Sequence, residues 1–67
     1  MYSKEFAQKL EEQTIKNGTI FNVFKGVNFI GQVGVIRDTI VYLDFKNNVI
    51  PVDLLTGEYK FDEVKEE

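Results

Sequence analysis

The sequence has no cysteine, no histidine and no tryptophan, and a single proline among its 67 residues. Without cysteine there is neither a disulfide framework nor a thiolate metal site, and without histidine the two commonest zinc ligands are both missing. The usual nucleophile–base pairs go with them. No apolar run approaches the roughly 18 residues that span a bilayer. No secretory-type apolar leader is seen, so a soluble, cytoplasmic protein with no membrane partner is expected.

The composition that remains is 43 % hydrophobic, 13 % aromatic and 28 % charged, the balance of a packed domain and not of a disordered segment. A single domain over residues 1–67 is expected. A chain this short buries about 60 % of its unfolded surface and supports only about 3–5 kcal/mol of stability, so it must rely on its core or on self-association. The net charge of −3 is unevenly placed. Residues 1–61 hold seven cations and seven anions, and the acidic excess falls in the tail 62–67, where Asp62, Glu63, Glu66 and Glu67 face Lys65. A sequence-independent grip on nucleic acid needs clustered cations, which a neutral body does not favour.

Residues 3–16 predict an amphipathic helix: Phe6, Ala7 and Leu10 fall on one stripe while Lys4, Glu5, Lys9, Glu11 and Glu12 point away. Ser3 is placed to cap its start, and Asn17-Gly18 to supply its left-handed stop. From Thr19 the pattern changes to period two with β-branched and aromatic residues. Five strands are predicted, at 19–25, 28–37, 39–46, 49–53 and 58–61, with turns at Lys25-Gly26, Arg37-Asp38, Asn47-Asn48 and Leu54 to Gly57. Asn47-Asn48 reads as a two-residue hairpin turn. Gly31 and Gly34 lie where a strand can bend. The fold class is therefore mainly β with one N-terminal helix, a five-stranded bent meander or small SH3-like/Sm-like barrel over 19–61.

Alternation puts Val27, Phe29, Val33 and Val35 on one face of the second strand, and Val41, Leu43 and Phe45 on one face of the third. Those faces are expected to form the core. The opposite face keeps Ile30, Ile36, Ile40 and Tyr42, too apolar to stay bare, and these four are the candidate partner-binding residues.

The stretch Gly26-Val27-Asn28-Phe29-Ile30-Gly31-Gln32-Val33, followed by Arg37-Asp38 and Ile40-Val41-Tyr42-Leu43, resembles the first sequence motif of Sm-like and Hfq-type proteins. The resemblance covers residues 20–45 and implies a small barrel that assembles into rings and binds RNA. The chain departs from the family in its fourth-strand region: Val49-Ile50-Pro51-Val52-Asp53 has neither the Tyr-Lys-His run nor the Arg-Gly pair that grips RNA there. Pro51 also lacks the N–H that ring pairing would use.

Catalytic, cofactor and metal sites are not expected. Asp38, Asp44, Asp53 and Glu58 lie in or beside turns, where local hydrogen bonding explains them. Gly26, Gly31 and Gly34 match no nucleotide-binding fingerprint, and Asp53 and Glu58 offer too few oxygens for calcium. Rings interleaved with cations raise single-stranded nucleic acid as an alternative partner, through Lys25, Arg37, Lys46, Tyr59 and Lys60. Tyr42 and Tyr59 are the tyrosines expected to be partly exposed. The functional expectation is a non-enzymatic interaction module, homo-oligomeric or docking on a protein partner, in the manner of a phage or plasmid regulatory accessory protein. The alternative is an Sm-like binder of RNA or single-stranded DNA.

Overall fold

A computed structural model of the chain describes residues 1–64. It has one helix, α1 (Ser3–Glu11), and four strands, β1 (Thr19–Lys25), β2 (Asn28–Ile36), β3 (Thr39–Phe45) and β4 (Lys60–Glu63). All neighbours are antiparallel, in the order β3-β2-β1-β4. The sheet does not close on itself, so the predicted five-stranded barrel becomes a four-stranded open sheet with α1 on one face. Asp62 and Glu63, assigned from sequence to an acidic tail, lie in β4; Lys65, Glu66 and Glu67 fall outside the described residues.

The helix stops earlier than predicted. Its stop is Gln13, at φ 59, with Thr14 N–H bonded to Lys9 O at 3.1 Å and Gln13 N–H to Leu10 O at 3.2 Å. Those two bonds are the Schellman pattern, here closed without glycine. Ser3 does not cap the helix. Tyr2 holds the cap position without a side-chain bond, because the buried Ser3 hydroxyl is committed elsewhere: it accepts from Tyr59 N–H at 3.1 Å and donates to Tyr59 O at 3.3 Å.

The core lies between α1 and one sheet face. Phe6 stacks on Phe61, with centroids 4.2 Å apart and planes 6° apart, and meets Phe21 edge-on at 5.0 Å. Val23, Val33, Val35, Phe45, Leu54 and Tyr59 complete it. Leu10 and Ile40 pack against its margin.

Two β-bulges overturn the simple alternation. Val23 pairs with Gly31 but Phe24 with Phe29, which leaves Ile30 extra. Gln32 pairs with Asp44 but Val33 with Tyr42, which leaves Leu43 extra. One extra residue exchanges the faces of everything beyond it. Phe29 therefore leaves the core face and pairs edge-on with Phe24 at 5.7 Å, while Val27 sits fully exposed in the β1–β2 turn. Val41 and Leu43 likewise fall opposite the core, whereas Phe45 beyond the second bulge is buried.

The β2–β3 hairpin turns at Arg37-Asp38, with φ 53 and 60, the mirror-image geometry that suits strand twist. Asn47 and Asn48 also take positive φ, at 58 and 55, yet they form no hairpin. They make a tight left-handed turn closed by Val49 N–H donating to Lys46 O at 3.2 Å, and the predicted strand at 49–53 does not form. The chain leaves the sheet here, carries Pro51 without an N–H to offer, and buries Leu54 and Tyr59 instead.

Candidate functional site

The two edges of the sheet differ. At β4 the outer edge is covered from Tyr59 to Phe61 by Met1–Ser3: Phe61 N–H donates to Met1 O at 2.6 Å, Ser3 N–H to Tyr59 O at 2.9 Å, and Tyr2 bridges Lys60. At β3, among the described residues, no backbone bond reaches the outer side. The two-residue turn makes Ile36 and Thr39 a hydrogen-bonded pair, so Val35 and Ile40 form the next, non-bonded pair. By the same alternation the backbone groups of Ile40 and Tyr42 point off the sheet. Between Thr39 and Phe45 there is no proline, and the one charged side chain, Asp44, lies beyond the Leu43 bulge.

The sheet face away from α1 is apolar and uncovered. Val41 is 37 % exposed, and Leu43 and Ile36 are each 48 % exposed. Leu43 lies over Gly34, its Cδ1 within 3.7 Å of where a Cβ would stand. Phe24 and Phe29 extend the patch toward the β1–β2 turn. Polar groups on this face are partly used up, since Gln32 Nε2 donates to Asn22 Oδ1 at 2.8 Å.

The four candidate partner-binding residues do not share a face. Ile36 is on the open face. Ile40 packs at the core margin and Tyr42, 48 % exposed, stands beside Phe45 with centroids 6.1 Å apart. Ile30 is the bulged residue and is partly buried against the core. The bulge at Leu43 is the reason: it puts Ile40 and Tyr42 on the helix side and brings Val41 and Leu43 to the open face, two residues that alternation alone assigned to the core.

The cations set out for nucleic acid are also dispersed. Lys25 and Lys46 line one open groove of about 740 Å³ with Phe29, Ile50, Pro51 and Tyr59. Lys46 Nζ lies 5.9 Å from the Phe29 ring centroid. Arg37 sits at the opposite end of β2, in the β2–β3 turn, and Lys60 pairs with Asp62 at 3.7 Å. Tyr59 is not exposed as expected but buried, so its ring is not free to stack. Its hydroxyl donates to Asp53 Oδ1 at 2.9 Å, and that bond, with burial and the carboxylate charge behind it, holds the phenol above the usual tyrosine range.

No protein-family model matches the chain, nor does any curated protein or solved structure. Among the described residues no cluster of three acidic side chains is placed to hold a metal ion, and no helix is long and apolar enough to cross a membrane. What the arrangement offers is a strand edge with two residues' worth of unpaired backbone groups, beside an apolar sheet face. Alternation in the sequence assigns Ile40 and Tyr42 to the face away from the core and Val41 and Leu43 to the core, and the bulge at Leu43 reverses both assignments. The Leu43 bulge has no glycine or proline beside it in β3 to mark it in the sequence.

Proposed function

We propose that this protein is a non-enzymatic interaction module that binds a protein strand along the outer edge of β3, with the adjoining open face as its apolar contact. The observation that carries this reading is the difference between the edges: β4 is covered along Tyr59 to Phe61 by Met1–Ser3, and β3 is left open beside Val41 and Leu43. Strand addition draws affinity from main-chain hydrogen bonds and specificity from alternate side chains. Both are available at β3. An SH3-like or Sm-like identity would add ring or groove recognition, but it requires a fifth strand at 49–53, so the reading is built on edge and face and not on family.

The test is capture from the native cell with wild-type and Val41→Asp protein, with and without nuclease. A partner retained after nuclease treatment and lost with Val41→Asp supports the module; capture that is indifferent to Val41→Asp refutes it.

A second reading, single-stranded nucleic acid, draws on one observation, the pair Lys25 and Lys46 around an aromatic groove. It ranks lower because Tyr59 is buried, Lys60 is paired and Arg37 lies elsewhere. Anisotropy of a labelled oligonucleotide at low ionic strength, with no change on titration, would remove it.

A further inference from the structure

We infer that the strand taken up by β3 is β3 of a second copy, in an antiparallel pairing whose two-fold axis passes through Val41. This rests on the interaction-module reading and names its partner.

The hydrogen-bonding geometry selects the register. Only Ile40 and Tyr42 direct backbone groups off the edge before the Leu43 bulge at one end and the Arg37-Asp38 turn at the other. A two-fold that pairs Tyr42 with Tyr42, or Ile40 with Ile40, makes two bonds and leaves the other residue's groups unmet. A two-fold at Val41 sets Ile40 against Tyr42 of the second copy and Tyr42 against its Ile40. All four groups of each chain are then satisfied, in two residue pairs that each exchange both bonds. Each is also a β-branched residue facing an aromatic one, a favourable cross-strand pair.

Val41 then faces Val41 across the axis, and the open faces of the two copies join into one apolar surface carrying Ile36, Val41 and Leu43 twice. The β4 edge, covered by Met1–Ser3 along Tyr59 to Phe61, ends the process. A head-to-tail array needs β3 of one copy to meet β4 of the next, and Met1–Ser3 occupy that position, so the contact is isologous and closes at two. Edge pairing lies at the small end of interface sizes, so the assembly is a concentration-dependent monomer–dimer equilibrium.

The absence of cysteine makes the register directly testable. Directly opposed residues in a non-hydrogen-bonded pair stand about 4.5 Å apart at Cα, within the ~4.4–6.8 Å window for a disulfide. Val41→Cys and Ile36→Cys, both at exposed positions of the open face, are each incubated with oxidised and reduced glutathione and followed on non-reducing gels. Circular dichroism verifies that both are folded. Val41→Cys is expected to form a covalent dimer on the order of 10- to 100-fold faster than Ile36→Cys, because pairing raises its local thiol concentration toward the millimolar range. Sedimentation velocity of wild-type protein should show a dimer that Val41→Asp abolishes by opposing two carboxylates.

Equal cross-linking rates for the two variants overturn the register and the second-copy assignment. If they are equal while Val41→Asp still loses a captured cellular partner, the self-pairing falls and the interaction module stands. If they are equal and capture ignores Val41→Asp, both fall.

Discussion

Gly31 and Gly34 lie three residues apart in the same strand and are used in opposite ways. A Cβ at Gly31 would stand 2.5 Å from the Phe45 ring and 2.7 Å from Asp44 O, and a backbone oxygen cannot step aside. A Cβ at Gly34 would find nothing nearer than Leu43 Cδ1 at 3.7 Å. Gly31→Ala is accordingly expected to cost about 1–3 kcal/mol by overpacking, and thermal unfolding should register it as a fall of roughly 4–8 °C per kcal/mol. Gly34→Ala should leave the midpoint near that of wild type. From the sequence, both glycines read alike as places to bend. Which of them has a ring laid on it is decided by the second bulge, which turns Phe45 inward.

At the scale of elements, the sequence was most legible where the cause of structure is local. The stripe of Phe6, Ala7 and Leu10, the β-forming residues of β1 to β3, and the Arg37-Asp38 turn follow from residues near one another. The misread elements depend on distant partners: Ser3 is taken by Tyr59, and 49–53 leaves the sheet because Leu54 and Tyr59 have a core to enter. The 53–59 loop is fastened by its own bonds, with Thr56 and Gly57 N–H on Asp53 O at 3.1 and 2.6 Å and the Tyr59 hydroxyl on Asp53 Oδ1. That last bond makes the loop sensitive to alkali. The Tyr59 phenol titrates higher in the folded chain than in the unfolded one, so above about pH 10, the ordinary tyrosine value, the folded state holds the extra proton. Stability from this bond is complete below that pH and declines as pH rises through the folded pKa. Melting temperatures measured from pH 8 to 11 should fall more steeply for wild type than for Tyr59→Phe, and parallel curves would contradict the assignment.

For the molecule as a whole, one aromatic cluster joins helix to sheet. Phe6 is fully buried and rests on both Phe21 and Phe61. Truncating a buried phenylalanine to alanine costs about 3–5 kcal/mol, comparable to the ~3–5 kcal/mol that a domain of this size is expected to have. Phe6→Ala should therefore abolish cooperative unfolding in urea and most of the far-ultraviolet circular dichroism at 25 °C, while Phe6→Leu keeps a shifted but cooperative transition. The sequence indicated an apolar surplus on the sheet, and the structure retains one on the open face, made largely of different side chains.

The stacking of Phe6 on Phe61 also bears on the order of assembly. β1, β2 and β3 are consecutive antiparallel neighbours that can zip through local hairpins, whereas β4 returns to β1 only after a long excursion of the chain. Until β4 docks, the helix has Phe21 but not Phe61 to lie against, and the meander keeps both of its oily sides partly open to water.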